Sequence, residues 1–263
     1  MNKSAVNLLA AGLLLAAAGL SPARAEDAPR GMTMRIQQDI LLGTDSAAGD
    51  YRACFLSPDR FRVEGTKRLK TAKSDVVAKE SIAGDGAVVR QIEKVGDSTK
   101  AYVVDLDRVR KELPWADYSS AKTYDPSVYA GILKDAKDRK VLPAEDLDGA
   151  PAEGYELALP NGRRSLPFNV PMVLPDPVKV RFWVNPKDGI ARKVELEDAQ
   201  GHVFLKTRYT DVKTDAQLRP ETFELEFPKD VVPLDLTNIV IRGVEATRRP
   251  PTPAAPTPAE KQP

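Results

Sequence analysis

Apolar and polar residues alternate at every second position along much of the chain. Met32, Met34 and Ile36 alternate with Thr33, Arg35 and Gln37; Tyr51, Ala53 and Phe55 with Arg52, Cys54 and Leu56; Phe61 and Val63 are interleaved with charge. A period of two predicts strands with one buried face. The clearest case is KVRFWVNPKDGIARKVELEDAQGHVF, residues 179–204. Val178, Val180, Phe182 and Val184 share one side, Ile190, Val194 and Leu196 continue it after a turn, and Val203, Leu205 and Tyr209 follow a second turn. The opposite side is mostly Lys, Arg and Glu, so these hairpins predict antiparallel sheet with one wet face. Three further strands are expected around Val89, Val103 and Val109, and another in TFELEFP, where Phe223, Leu225 and Phe227 alternate with Glu224 and Glu226. Residues 67–80 are polar, without a sustained period, and predict a loop or a ragged hairpin.

One helix is expected, from Pro126 to Asp138, with Asp125 as N-cap and Pro126 at the first helical position. Val128, Ile132, Leu133 and Ala136 form its apolar stripe; Lys134, Asp135, Lys137 and Asp138 point to water. Residues 161–178 place four prolines among Leu166, Phe168, Val170, Met172, Val173 and Leu174 and predict an apolar loop, because proline cannot join a central strand.

Roughly ten strands at about 4.8 Å spacing make a sheet about 48 Å wide, and one helix covers a band of only about 10 Å. The sheet must therefore fold into a sandwich or curl until its apolar face becomes an interior. Consecutive hairpins around a single helix predict the curl. The expected fold is mainly β (α+β): a curled antiparallel sheet forming an incomplete β-barrel with a helical lid. Phe61, Val63, Val180, Phe182, Val194, Leu205, Phe223 and Leu225 are the candidates for the lining of an apolar cavity. Val128, Ile132, Leu133, Phe168 and Met172 are the lid candidates. Alternation leaves open whether side chains fill the interior or a ligand does.

The chain begins with one Lys, an apolar run over residues 5–20, and small residues ending Ala23-Arg24-Ala25. This predicts a signal peptide cleaved after Ala25, and hence a periplasmic protein. Three segments follow: residues 1–25 as leader, 26–246 as the β domain, and 247–263, rich in proline, as a disordered tail. Removing Lys3 and Arg24 with the leader leaves 37 basic residues against 38 acidic ones, a balance that argues against nucleic acid as partner. A monomer is expected. Cys54 is the sole cysteine, so no internal disulfide forms, and it is read as a packed strand residue.

Little in the sequence suggests catalysis. His202 is the only histidine and follows a turn glycine, with no G-x-S-x-G elbow to accompany it. One His and one Cys do not make a transition-metal site of usual composition, and the acidic clusters at 105–107 and 144–148 lack calcium-loop spacing. Gly84-Asp85-Gly86 lies between strands and is read as a turn, not a phosphate loop. No cofactor and no metal are expected. Trp115 and Trp183 are read as core, with a cavity mouth as the alternative.

The order of parts adds a resemblance. YRACFLSPDRFRVE, then IAGDGAVVRQIEKVGDSTKAYVVDLDRVRKEL, a helix, and the closing FWVNPKDGIARKVELEDAQGHVFLKTRYTDVKTDAQLRPETFELEFPKDVVPLD resemble the LolA/LolB-like superfamily of periplasmic lipoprotein carriers and outer-membrane lipoprotein-sorting proteins. The resemblance runs over most of residues 32–236. It implies a LolA-like half-barrel that binds acyl chains of lipoproteins, or other lipid, without catalysis. The carriers typically place Arg before the proline that follows the early strand and use it to hold the lid; here Ser57 precedes Pro58. A lipid binder and an envelope protein-interaction or stress-sensing module, with envelope membrane proteins as partners, are both implied on this scaffold.

Overall fold

Two antiparallel meanders share one sheet in the computed structural model, which describes residues 31–57, 59–115, 124–136, 138–166 and 174–248. The first runs β1 (Met32–Leu42), β2 (Asp45–Ser57), β3 (Arg60–Thr71), β4 (Ser74–Asp85), β5 (Val88–Val95) and β6 (Ser98–Asp105). The second runs β7 (Arg139–Leu147), β8 (Ala150–Ala158), β9 (Lys179–Val184), β10 (Ala191–Glu197) and β11 (Val203–Lys213). Pairing of β1 with β11 joins them, and β12 (Leu234–Asp235) adds to β6, giving the order β12-β6-β5-β4-β3-β2-β1-β11-β10-β9-β8-β7. The sheet curls without closing, an incomplete barrel with three helices among the described residues. The β12–β6 pair is parallel, so the sheet is mixed rather than wholly antiparallel as the alternation alone suggested.

This order dictates where the connections run. β6 and β7 lie toward opposite ends of the sheet, and the described residues between them pack on its concave, apolar side. They carry α1 (Leu106–Glu112) and α2 (Val128–Asp135), whose Leu106, Val109 and Tyr129 join the continuous inner core. β11 is central while β12 lies beyond β6, so residues 214–233 cross the opposite, outer side. α3 (Thr237–Arg248) then returns to the inside, burying Val240, Ile241 and Val244 in the same core beside α1.

Three expectations are corrected here. The segment around Val109 is helix, not strand: Asp105 accepts a hydrogen bond from the Arg108 N–H as N-cap, and Arg110 and Lys111 complement the last turn. TFELEFP forms no strand; Pro220–Phe223 is a 3-10 turn, and the Arg62 guanidinium donates to the Thr222 and Glu224 carbonyls, which strand neighbours would otherwise satisfy. Residues 67–80 belong to the regular β3–β4 hairpin. α3 extends to Arg248. The leader and residues 249–263 lie outside the described residues.

Tyr51 on β2 illustrates how the curl is packed. Its ring covers the backbone of β3 at Gly65, where a Cβ would stand 2.1 Å from the Asp50 carbonyl oxygen and 2.7 Å from the Tyr51 ring. Gly65→Ala must therefore displace the ring or the strand, and thermal denaturation is expected to show a loss of about 1–3 kcal/mol.

Candidate functional site

The inner wall is apolar over β1, β2 and β9–β11. Phe61, Val63, Val180, Phe182 and Val194 all lie in it, each almost wholly buried in one continuous cluster with Met34, Ile36 and Leu196. Leu205 is half-buried against that cluster, as are Ile40 and Leu42. A bulge in the β10–β11 ladder, where Leu196 pairs with Leu205 and Glu197 with Val203, adds Phe204 to the core. Phe223 and Leu225 are not brought to this wall. Phe223 is buried outside the cluster with its 3-10 turn against β3 and β4, and Leu225 is half-buried in the strap that follows.

α2 is the lid. It is shorter than its pattern predicted: Ser127 is the N-cap position, Pro126 lies in the preceding turn, and the Asp125 carboxylate accepts the Ser127 N–H two residues on. An Asx turn thus competes with the capping role expected of Asp125. Val128, Ile132, Leu133 and Ala136 lean on the core half-buried. Tyr129 anchors the helix: its ring lies 5.7 Å from that of Phe182, and its hydroxyl donates to Tyr209 on β11. Tyr124, just before the helix, meets Tyr51 edge-on at 6.2 Å. Leu166 and Leu174, which bracket the proline-rich loop, are buried, whereas Phe168 and Met172 fall outside the described residues, as does Lys137.

The inner wall changes character toward the turns that end β3–β6. Lys67, Glu80, Gln91 and Glu93 point inward and are 7%, 2%, 0% and 4% exposed. Gln91 Nε2 donates to Glu80 Oε1 at 2.6 Å, Lys67 Nζ stands 3.9 Å from Glu93 Oε1, and the Tyr51 hydroxyl donates to Glu80. Glu80 and Glu93 are directly paired across β4 and β5, and half-buried Lys100 is paired with Glu93 from β6. Burial pushes the Glu80 carboxyl above its ordinary value and Glu93 adds to this, while Lys67, Gln91 and Tyr51 oppose it. Burial likewise pushes Tyr51 and Tyr124 well up, with Glu80 adding to both. Sequence reasoning missed this cluster because residues 67–80, which supply Lys67 and Glu80, read as a polar loop or ragged hairpin. The available signal was position: each of the four occupies an inward site of the two-residue period.

The outer wall is polar. Arg35 pairs with Asp50 and Arg62 with Glu64, and both pairs line a groove of about 1050 Å³ that also takes in Cys54 and Thr222. Burial pushes the Cys54 thiol up, with Arg62 opposing, which disfavours the reactive thiolate. Trp183 is buried outside the inner cluster, its indole N–H donating to the Pro143 carbonyl at 3.3 Å and the Lys193 ammonium 3.8 Å over its ring. Trp115 packs half-buried against the inner core. His202 stands exposed after its turn, its backbone N–H donating to Asp198.

The open, curled sheet with a helical lid is the architecture implied by the resemblance to the LolA/LolB-like superfamily. No family model and no curated protein matches the chain. Solved structures that align with it include LprF from Mycobacterium bovis, at 8% identity over 72% of this chain and 89% of that one, with a TM-score of 0.49. A LolA superfamily protein from Nitrosomonas europaea aligns at 12% identity over 75% and 91%, with a TM-score of 0.28. The MucA/MucB complex of Pseudomonas aeruginosa aligns at 11% identity over 85% of this chain and 61% of that one, with a TM-score of 0.35. Likenesses this distant carry no argument about activity or partner.

Proposed function

We propose that the protein is an exported, periplasmic binder of lipid, taking an acyl chain of a lipoprotein or phospholipid without covalent chemistry against the inner wall of its half-barrel, in the manner of outer-membrane lipoprotein sorting. The supporting observation is how this wall is covered. The two sheet edges do not meet, and α2 packs on the apolar face with Ile132 and Leu133 only half-buried, while Ile40, Leu42 and Leu205 of the sheet are likewise only half-buried against the same core. An acyl chain offers about 0.8 kcal/mol for each CH₂ it buries, so a chain of ordinary length outweighs the contacts of two half-buried lid side chains. Native mass spectrometry with organic extraction, on protein purified from its own periplasm, tests this reading. Bound phospholipid or acylated peptide is the expected result. A clean apo mass, together with no uptake of a fluorescent fatty acid, would overturn it.

The outer groove between β1–β3 and the strap favours a second reading, a protein-interaction module. There a pull-down would recover one stoichiometric protein partner and no lipid.

A further inference from the structure

We infer that the polar cluster on β3–β5 is a head-group site, which selects a phospholipid whose head carries a primary ammonium beside its phosphate. This rests on the lipid-binding reading and adds the chemistry of the head to it.

The inference comes from polar atoms that are buried and unmet. Among the described residues, Glu80 Oε2, Gln91 Oε1 and Glu93 Oε2 have no hydrogen-bond partner, nor do Lys67 Nζ and the Tyr124 hydroxyl. Lys67, Glu80, Gln91 and Glu93 are more than nine-tenths buried on the inner wall, and Tyr124, equally buried, reaches it from the lid side. Natural interiors rarely leave such groups without partners. Like charges directly opposite on neighbouring strands are also unfavourable, yet Glu80 and Glu93 occupy such a pair.

The unmet atoms specify their complement. Three are acceptors, and a primary ammonium is the compact group that offers three donors and a positive charge. One is the Lys67 ammonium, whose complement is an anionic oxygen. Phosphoethanolamine presents both within one head. Its chains would then lie along the apolar wall of β1, β2 and β9–β11. The charged and titratable groups around the two carboxylates are Lys67, Lys100, Tyr51, Tyr102 and Tyr124.

The test offers the purified protein vesicles containing equal amounts of phosphatidylethanolamine and phosphatidylglycerol with identical chains. The protein is then repurified, and its extracted lipid is counted by mass spectrometry. Enrichment of phosphatidylethanolamine by roughly tenfold is expected, the ratio that one well-placed charged contact supplies. The double variant Glu80→Gln and Glu93→Gln, close in shape, is expected to bring the ratio near one. Equal binding of the two lipids by the unaltered protein, or enrichment that survives in the double variant, would overturn the head-group site and leave lipid binding standing. No lipid of either kind would overturn both. The ratio in the unaltered protein decides the matter whether or not the variant folds.

Discussion

Phe182→Ala is expected to lower the unfolding free energy by about 3–5 kcal/mol, read as a shift of the urea midpoint. Phe182 is fully buried, pairs with Val194 across β9 and β10, and lies within ring contact of Tyr129 at 5.7 Å and Tyr155 at 6.1 Å. It therefore ties the second meander to the lid helix, and its removal leaves a cavity that neighbours on three elements border. The lid should loosen before the sheet does, so hydrogen exchange in α2 is expected to rise more than in β9 and β10. Leu225→Ala makes the contrast: that residue is half-buried in the outer strap and absent from the inner core, and a change below about 1 kcal/mol is expected. Equal losses for the two variants would refute the division between inner core and outer strap.

That division also marks what alternation reveals and what it hides. β1, β2 and β9–β11 were legible because each buries one face against a common core, which imposes the two-residue period on Met32 to Ile36, Tyr51 to Phe55 and Val180 to Leu196. Phe223, Leu225 and Phe227 show the same period without being a strand, because pairing requires a neighbour and the strap crosses the sheet rather than joining it. α1 was read as strand because Val109 and Leu113 alone fit a strand as readily as a helix; the decisive signals were the three-residue step from Leu106 to Val109, Asp105 at the cap and the charges of its last turn. α3 was obscured by its β-branched start, Thr237 to Ile241, although Val240, Ile241 and Val244 mark a helical stripe. The inner-wall lining was legible from residues that are apolar. Lys67, Glu80, Gln91 and Glu93 were not, since burial of charge is visible only once strand register places those positions inside.

Lys67→Met should show how much the buried polar cluster depends on its cation. At neutral pH the variant is expected to lose about 3 kcal/mol, the low end for breaking a buried pair, since the Lys67–Glu93 contact is loose at 3.9 Å. Methionine keeps the aliphatic stem, so the loss reports charge rather than packing. The pH dependence carries the distinguishing sign. Burial already raises Glu80 above its ordinary value of 4.5, and Lys67 is the largest influence holding it down. Without Lys67 the folded-state value rises further. A carboxyl raised on folding favours the native state fully below its unfolded value and loses that contribution as pH rises through the folded value. The deficit of Lys67→Met relative to the unaltered protein should therefore be small near pH 4.5 and grow toward pH 8. Taking the difference cancels carboxylates such as Asp85 and Glu156, lowered by Arg partners away from this cluster, whose contribution is lost as pH falls. Adding Glu80→Gln to Lys67→Met should flatten the profile and return part of the lost stability. Urea denaturation of the three proteins at four pH values provides the check. A deficit that is independent of pH would mean that Glu80 is not the group Lys67 holds in its charged form.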